Sequence, residues 1–189
     1  MISTEPQKPR RKTPKKITAQ YLENSALYYL SRFATSSENL RRVMMRKVVK
    51  SARHHDADPD DGKVLVDAMI ERFLRSGLLD DGGYARARAA SLHQRGNSSR
   101  IIRGKLKQKG LDEDTIEQAL AALRDDDDDP ERTAAIRFAR RRRLGPFATR
   151  LQEDGVREKH LAAMARAGFS YDMARRIIDT ENEDDLQLI

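Results

Sequence analysis

One fifteen-residue pattern occurs twice in this chain, and it constrains the fold more than any other feature. Residues 106–120 read LKQKGLDEDTIEQAL, and residues 164–178 read MARAGFSYDMARRII. An alignment without gaps places Gly110 on Gly168, with an apolar residue and then a polar residue after each glycine. This order is typical of one helix that ends at a glycine and a second helix that begins at a polar N-cap. The repetition predicts tandem helical modules that bury their apolar faces together.

Capping signals and helical periodicity place three helices in each third of the chain. Thr35 and Glu38 have the spacing of a capping box, and Gly77 is predicted to end the third helix. Farther along the chain, the N-cap candidates are Asp80, Asn97 or Ser98, Asp112 and Ser170. The predicted helices lie at about residues 18–33, 36–49, 63–76, 81–94, 98–110, 112 onward, 134–143, 157–167 and 171–179.

Composition supports an all-α fold made of small cores. Only 38% of the 189 residues are hydrophobic and 35% are charged, so several small cores are easier to build than one large core. The chain has no tryptophan and few β-branched runs, which favours helix over strand. It also has no cysteine, which excludes disulfides and thiolate metal sites. No apolar run approaches the roughly 20 residues that a membrane helix needs, so we expect a cytoplasmic protein without a membrane anchor.

Acidic, proline-containing segments and charged tails divide the chain into domains. The sequences HHDADPDDG at 54–62 and DDDDDP at 125–130 interrupt the helical periodicity. The first sixteen residues are basic and proline-rich and the last residues are acidic, so both tails are expected to be disordered. The predicted divisions are a basic tail at 1–16, three-helix repeats at 17–77, 78–125 and 126–180, and an acidic tail at 181–189.

Three stretches of the chain resemble the RecX family of regulatory proteins. They are ALYYLSRFATSSENL at 26–40, GLLDDGGYA at 77–85 and RIIRGKLKQKGL at 100–111. The resemblance implies three tandem three-helix repeats in an elongated, curved array. It also implies a protein that lies in the groove of the RecA filament on single-stranded DNA and inhibits filament growth, ATPase activity and strand exchange. We expect this protein to be a monomer. Roles in recombination, DNA repair and the SOS response would follow.

Basic side chains are the candidate partner-binding residues. The net charge is +7, which favours a polyanionic or acidic partner. Many of the cations lie in the first two helices of the middle repeat, and others lie in the run Arg140–Arg143. A solvated helix exterior is the competing interpretation of both clusters. The candidates are Arg86, Arg88, Arg95, Arg100, Arg103, Lys105, Lys107, Lys109, Arg140 and Arg143.

Catalytic and metal-binding patterns are not found in the sequence. There is no Walker-type phosphate loop, no Gly-x-Ser-x-Gly and no His-Glu-x-x-His. Asp56, Asp58 and Asp60 have the alternate spacing of a calcium loop, but the sixth and twelfth positions hold Asp61 and Asp67 instead of glycine and glutamate. We therefore expect a protein that is not an enzyme, with no cofactor and no metal.

Two other functions remain open at this stage. A three-helix unit could act as a helix-turn-helix that binds nucleic acid directly through its basic face, and weak direct DNA contact is compatible with the RecA hypothesis as well. Such a protein would bind duplex DNA without RecA, and its affinity would fall steeply with salt. The chain could also be a helical scaffold for another acidic protein.

Overall fold

The computed structural model describes residues 13–148 and 155–187. Within these residues the chain is all-α, as predicted, and it contains no strand. It divides into two compact units, of which the first ends at Leu79 and the second begins at Asp80. The hydrophobic residues form three separate cores, one in the first unit and two in the second.

The first unit is a three-helix group. Its helices are α1 (Ala19–Leu30), α2 (Ser37–His55) and α3 (Pro59–Arg75). The longest of them, α2, packs closely on α3, where a Cβ added to Gly62 would lie 2.4 Å from Cγ1 of Val48. Each helix turns its apolar stripe inward, and the side chains of Leu22, Leu40, Met44, Val66 and Ile70 are fully buried.

The second unit begins with another three-helix group. It consists of α4 (Asp81–Gln94), α5 (Ser99–Gln108) and α6 (Glu113–Asp126). Small residues on α4, such as Ala85 and Ala89, allow close packing, and they are completely buried with Ile102, Leu106 and Ile116. Gly110, with a φ of 78°, provides the left-handed residue between α5 and α6.

The rest of the second unit has its own core. It contains α7 (Pro130–Arg142), α8 (Val156–Arg166) and α9 (Tyr171–Ile178), with short 3₁₀ helices at Gly145–Phe147 and Asp184–Gln187. Ala134, Ala135, Ala139, Met164 and Ile177 are fully buried in this core. Gly168 has a φ of 89° and lies between α8 and α9, so the two copies of the repeated pattern share the same turn.

The start of α2 corrects one capping prediction. Ser36, not Thr35, is the N-cap, and its hydroxyl accepts a hydrogen bond from the backbone N–H of Asn39. Thr35 is buried one residue earlier, and its hydroxyl accepts a hydrogen bond of 2.7 Å from the side-chain amide of Asn39. Both residues are good N-caps, and sequence alone did not show which one has the extended backbone at the helix start.

Two helices begin earlier than predicted, for one physical reason. The third helix starts at Pro59 instead of residue 63, and the seventh starts at Pro130 instead of residue 134. In both cases an aspartate, Asp58 or Asp129, is the N-cap and the proline is the first helical residue. Proline is favourable there because its fixed φ suits the helix and its missing N–H has no helical partner to lose.

The predicted tails are described only in part. Residues 1–12 of the basic tail and 188–189 of the acidic tail lie outside the described residues. The segment before α1 is extended, and the hydroxyl of Ser51 donates a hydrogen bond of 2.8 Å to the carbonyl of Lys15. At the other end, Leu186 is buried in the third core. In the described ranges, no helix is long and apolar enough to cross a membrane.

Candidate partner-binding surface

Helix α5 separates an apolar face from a basic one. Ile102 and Leu106, one turn apart, are completely buried in the second core. Arg100, Gly104 and Lys107 follow the i, i+4, i+7 spacing on the other side, and all three are exposed. The hydrophobic residues therefore hold the helix in place and leave a stripe of two cations with a glycine between them.

The glycine in this stripe has no structural neighbour. A Cβ added to Gly104 would meet no atom within 4 Å. The residue lies inside a continuous helix, so its backbone conformation does not require glycine. Glycine inside a helix costs about 1 kcal/mol relative to alanine. The packing of the described residues gives no reason for this cost, but a glycine does allow another molecule to approach the helix backbone closely.

Arg103 is held within the protein. Its guanidinium forms ion pairs with Glu113 and Glu117 on α6. The hydrogen bond with Glu117 raises the pKa of Arg103, and the same contact lowers the pKa of Glu117. The two carboxylates therefore compensate the charge of Arg103, which was a predicted binding residue. Their ion pairs link α5 to α6.

The two lysines near the ends of α5 differ from the exposed stripe. Lys105 donates a hydrogen bond of 3.0 Å to the side-chain carbonyl of Asn97, which ties it to the turn before the helix. Lys109 is the C-cap residue and is half-buried. Their positive charges still add to the field of the surface, but neither side chain lies in the stripe of Arg100 and Lys107.

The candidates on α4 lie in the middle of the helix and at its C-terminal end. Arg86 is exposed in the second turn of the helix and Arg88 is half-buried. Arg95 is the C-cap residue, and its backbone carbonyl accepts a hydrogen bond from the guanidinium of Arg141 on α7. The sequence did not single out Arg141 for this role, because its partner lies 46 residues away.

The arginine run at the end of α7 has several roles. Arg140 pairs with Glu183, and its guanidinium lies 5.2 Å from the centroid of the Phe147 ring. Arg143 ends the helix in a left-handed conformation with a φ of 56°, and its side chain is exposed. Consecutive residues on a helix point in different directions, so these arginines lie in separate environments and do not form one face.

A junction inside the second unit positions α5. The hydroxyl of Ser98, the N-cap of α5, donates a hydrogen bond of 2.6 Å to the carbonyl of Ala167. The backbone N–H of Ser99 donates a hydrogen bond of 3.0 Å to the Glu131 carboxylate. A Cβ added to Gly168 would lie 3.4 Å from Cβ of Arg100, so the stripe begins against the turn between α8 and α9.

Six of the ten candidates remain available to a partner. Their side chains form no hydrogen bond or ion pair with any residue that the structure describes: Arg86, Arg88, Arg95, Arg100, Lys107 and Arg143. Arg100 and Lys107 share one helix face and one rigid scaffold. Such a surface can bind carboxylates or phosphates. The described residues contain no group of His, Asp or Glu that could hold a metal.

Comparisons with known proteins agree on one family. Residues 80–120 match the family model described as RecX, second three-helix domain. The chain is 39% identical to the "Regulatory protein RecX" of Myxococcus xanthus over 173 residues, which cover 89% of this chain and 90% of that protein. It is 31% identical to the protein of the same name from Agrobacterium fabrum, over 88% of this chain and 87% of that protein. A crystal structure of RecX from Lactobacillus salivarius has a TM-score of 0.63 at 21% identity and covers 90% of this chain and 97% of that chain.

Proposed function

Because the chain belongs to the RecX family, we propose that it binds the RecA filament on single-stranded DNA and inhibits the growth of that filament, its ATPase activity and strand exchange. The protein would act by binding and not by catalysis, as a cytoplasmic monomer that modulates recombination and DNA repair. Its role as a regulatory protein follows from the family. The RecA filament as its target is the part that we propose.

The exposed stripe on α5 is the observation that supports this function. Arg100 and Lys107 are held on a helix whose other face is locked into a core, and their charges are not compensated by carboxylates among the described residues. A pair of cations on a firmly packed helix suits an acidic protein surface, since the backbone that carries them does not have to be ordered on binding. Gly104 between them would let the filament approach the helix backbone.

The experiment follows ATP hydrolysis by RecA filaments that have already formed on circular single-stranded DNA. The protein is added at less than one molecule per RecA. We expect the rate of hydrolysis to fall with the unmodified protein. The double variant Arg100→Glu and Lys107→Glu should require at least about tenfold more protein for the same inhibition, since like charges across an interface cost several kcal/mol.

The matched control reverses two exposed cations of the second unit outside this surface. Lys159→Glu on α8 and Arg176→Glu on α9 change the net charge by the same amount and should leave inhibition unchanged. Circular dichroism establishes that both double variants keep their helix content. Equal inhibition by the stripe variant and the unmodified protein would exclude the α5 surface as the contact with the RecA filament.

Direct competition for DNA is the alternative that the same assay separates. If the protein only covered DNA, as a nucleic-acid-binding helical protein would, added single-stranded DNA would relieve inhibition in proportion to its concentration. Filament binding predicts inhibition that depends on the ratio of protein to RecA at all DNA concentrations. Relief by DNA together with no dependence on the ratio of protein to RecA would contradict the proposed target.

A further inference from the structure

Helix α2 in the first unit also has a basic face, in addition to the one described on α5. One side of the helix buries Leu40, Met44 and Val48. The opposite side carries residues at successive i, i+3 and i+4 positions that alternate between cationic and apolar side chains. The cations of this stripe are Arg42, Arg46, Lys50 and Arg53, and the apolar residues between them are Met45 and Val49.

The extended segment before α1 turns this face into a groove. The hydroxyl of Ser51 donates a hydrogen bond of 2.8 Å to the carbonyl of Lys15, and Nε2 of His55 lies 2.9 Å from the carbonyl oxygen of Pro14. These two contacts hold the segment along α2. Two adjoining concave regions of about 680 and 510 Å³ result, and they share Pro14, Arg46 and Lys50.

The charged side chains that line the groove are all cationic. Neither concave region is lined by a carboxylate, and six lysine and arginine side chains line the two regions together. Arg42 is paired with Glu38, whereas Arg46, Lys50 and Arg53 form no ion pair with the described residues. Lys15 and Lys47 complete the cationic lining, and their Nζ atoms lie 5.9 and 5.8 Å from the centroid of the Tyr21 ring.

We propose that this α2 groove binds single-stranded nucleic acid. Arg42 to Arg53 spans eleven residues, or about 16 Å at 1.5 Å per residue, which is long enough for several successive phosphates. Half of the six cations are lysines, which are depleted at protein–protein interfaces, and no carboxylate lies among them, so a phosphate backbone fits better than an acidic protein. Met45 and Val49 offer an apolar floor to bases, which only an unpaired strand can present.

Binding of DNA alone tests this proposal independently of RecA. The probe is a fluorescein-labelled oligothymidine of 20 nucleotides, and its anisotropy is measured with the full chain over a series of salt concentrations. We expect Arg46→Glu with Lys50→Glu to weaken binding at least about tenfold. The slope of log K against log salt should become shallower by about 1.4, or 0.7 for each lost phosphate contact on a single strand.

Two further variants test whether binding depends on the groove or on positive charge anywhere on the first unit. Arg32→Glu with Arg75→Glu reverses two exposed cations of the same unit outside the groove and should change affinity much less. Val49→Ser should lower affinity without changing the salt slope, because it removes an apolar contact with a base and no phosphate contact. An equal effect of both charge-reversal pairs would overturn the proposal.

Competition experiments decide the class of ligand. Unlabelled oligothymidine should displace the probe at lower concentration than a duplex of equal length or poly-glutamate of equal charge. Tighter binding of the duplex would overturn the assignment to single strands. Displacement by poly-glutamate at least as strong as by oligothymidine would identify an acidic protein as the better partner and overturn the nucleic-acid proposal.

Discussion

Two glycines inside helices have opposite surroundings, and this difference gives a prediction at the scale of single residues. A Cβ at Gly62 would lie 2.4 Å from Cγ1 of the buried, stiff side chain of Val48, whereas a Cβ at Gly104 would meet nothing within 4 Å. We therefore expect Gly62→Ala to lower the free energy of unfolding by about 1–3 kcal/mol through overpacking. Gly104→Ala should raise it by about 0.5–1 kcal/mol through helix propensity. Urea unfolding followed by circular dichroism measures both changes. A stabilising effect of Gly62→Ala would contradict the packing described for Gly62, and a destabilising effect of Gly104→Ala would contradict the open surroundings of Gly104.

The more stable of these variants also tests the binding surface. If a partner approaches the α5 backbone at Gly104, the added methyl group of Gly104→Ala should weaken inhibition of RecA although the protein is more stable. Reduced inhibition could not then be attributed to unfolding. Unchanged inhibition would indicate that the partner does not contact the helix backbone at Gly104.

His160 predicts a pH dependence of stability. Its Nδ1 accepts a hydrogen bond of 3.1 Å from the backbone N–H of Gly145, and burial lowers the pKa of the ring. The neutral form is therefore favoured by folding, so this contribution is complete above the unfolded pKa of about 6.5 and is lost as the pH falls through the lower folded pKa. We expect the melting temperature to fall between about pH 7.5 and pH 5.5.

The variant His160→Asn distinguishes the contribution of His160 to this pH dependence from that of the other histidines. The side-chain carbonyl of Asn in His160→Asn can accept the hydrogen bond of Gly145 but does not titrate in this range. The variant should lose less of its melting temperature than the unmodified protein over the same pH interval. Identical losses would mean that other groups cause the acid sensitivity.

At the scale of helices and turns, the sequence predicted the presence of elements better than their ends. Asp80, Asp112 and Ser170 are N-caps as predicted, and each comes directly after a hydrophobic residue that marks the end of the preceding turn. The starts at Pro59 and Pro130 were missed because proline was interpreted as a helix breaker, although after an aspartate N-cap it is also a favourable first residue.

Ser98 supplies a prediction at this scale because it belongs to two elements at once. Its hydroxyl caps α5 by accepting a hydrogen bond from the N–H of Ile101, and it donates a hydrogen bond of 2.6 Å to the carbonyl of Ala167 at the end of α8. Ser98→Ala should therefore lose about 1 kcal/mol for the cap and about 1 kcal/mol more for the half-buried carbonyl left without this donor. Thermal or urea unfolding gives the change.

The control for this prediction is the equivalent cap in the second copy of the pattern. Ser170 accepts a hydrogen bond from the N–H of Met173 but is exposed and donates to no other element among the described residues. Ser170→Ala should lose only the capping contribution of about 1 kcal/mol. Equal losses in the two variants would show that the contact between Ser98 and Ala167 adds nothing to stability.

At the scale of the whole molecule, the sequence indicated the fold class but could not rank the basic residues. Arg103 was grouped with Arg100 and Lys107 because the three share one region of sequence, yet its charge is compensated by Glu113 and Glu117 on another helix. Which helix faces meet depends on tertiary packing, and a single sequence does not record it. For the same reason the α2 groove was not recognised, since its wall includes Lys15, which lies 36 positions before its partner Ser51.

The domain divisions lead to a prediction about which fragments fold alone. The first core includes Leu79, and the chain divides after this residue. Within the second unit, by contrast, Nε2 of His93 lies 2.7 Å from the carbonyl oxygen of Pro130, and Ser98 bonds to Ala167. We expect fragments 1–79 and 80–189 to keep their helix content and to melt cooperatively, and fragment 80–126 to be largely unfolded at about 25 °C, because a core of this size without its neighbour is marginal. Circular dichroism of the three fragments tests this expectation. A cooperative melt of 80–126 would instead show that the middle predicted repeat folds as an independent domain.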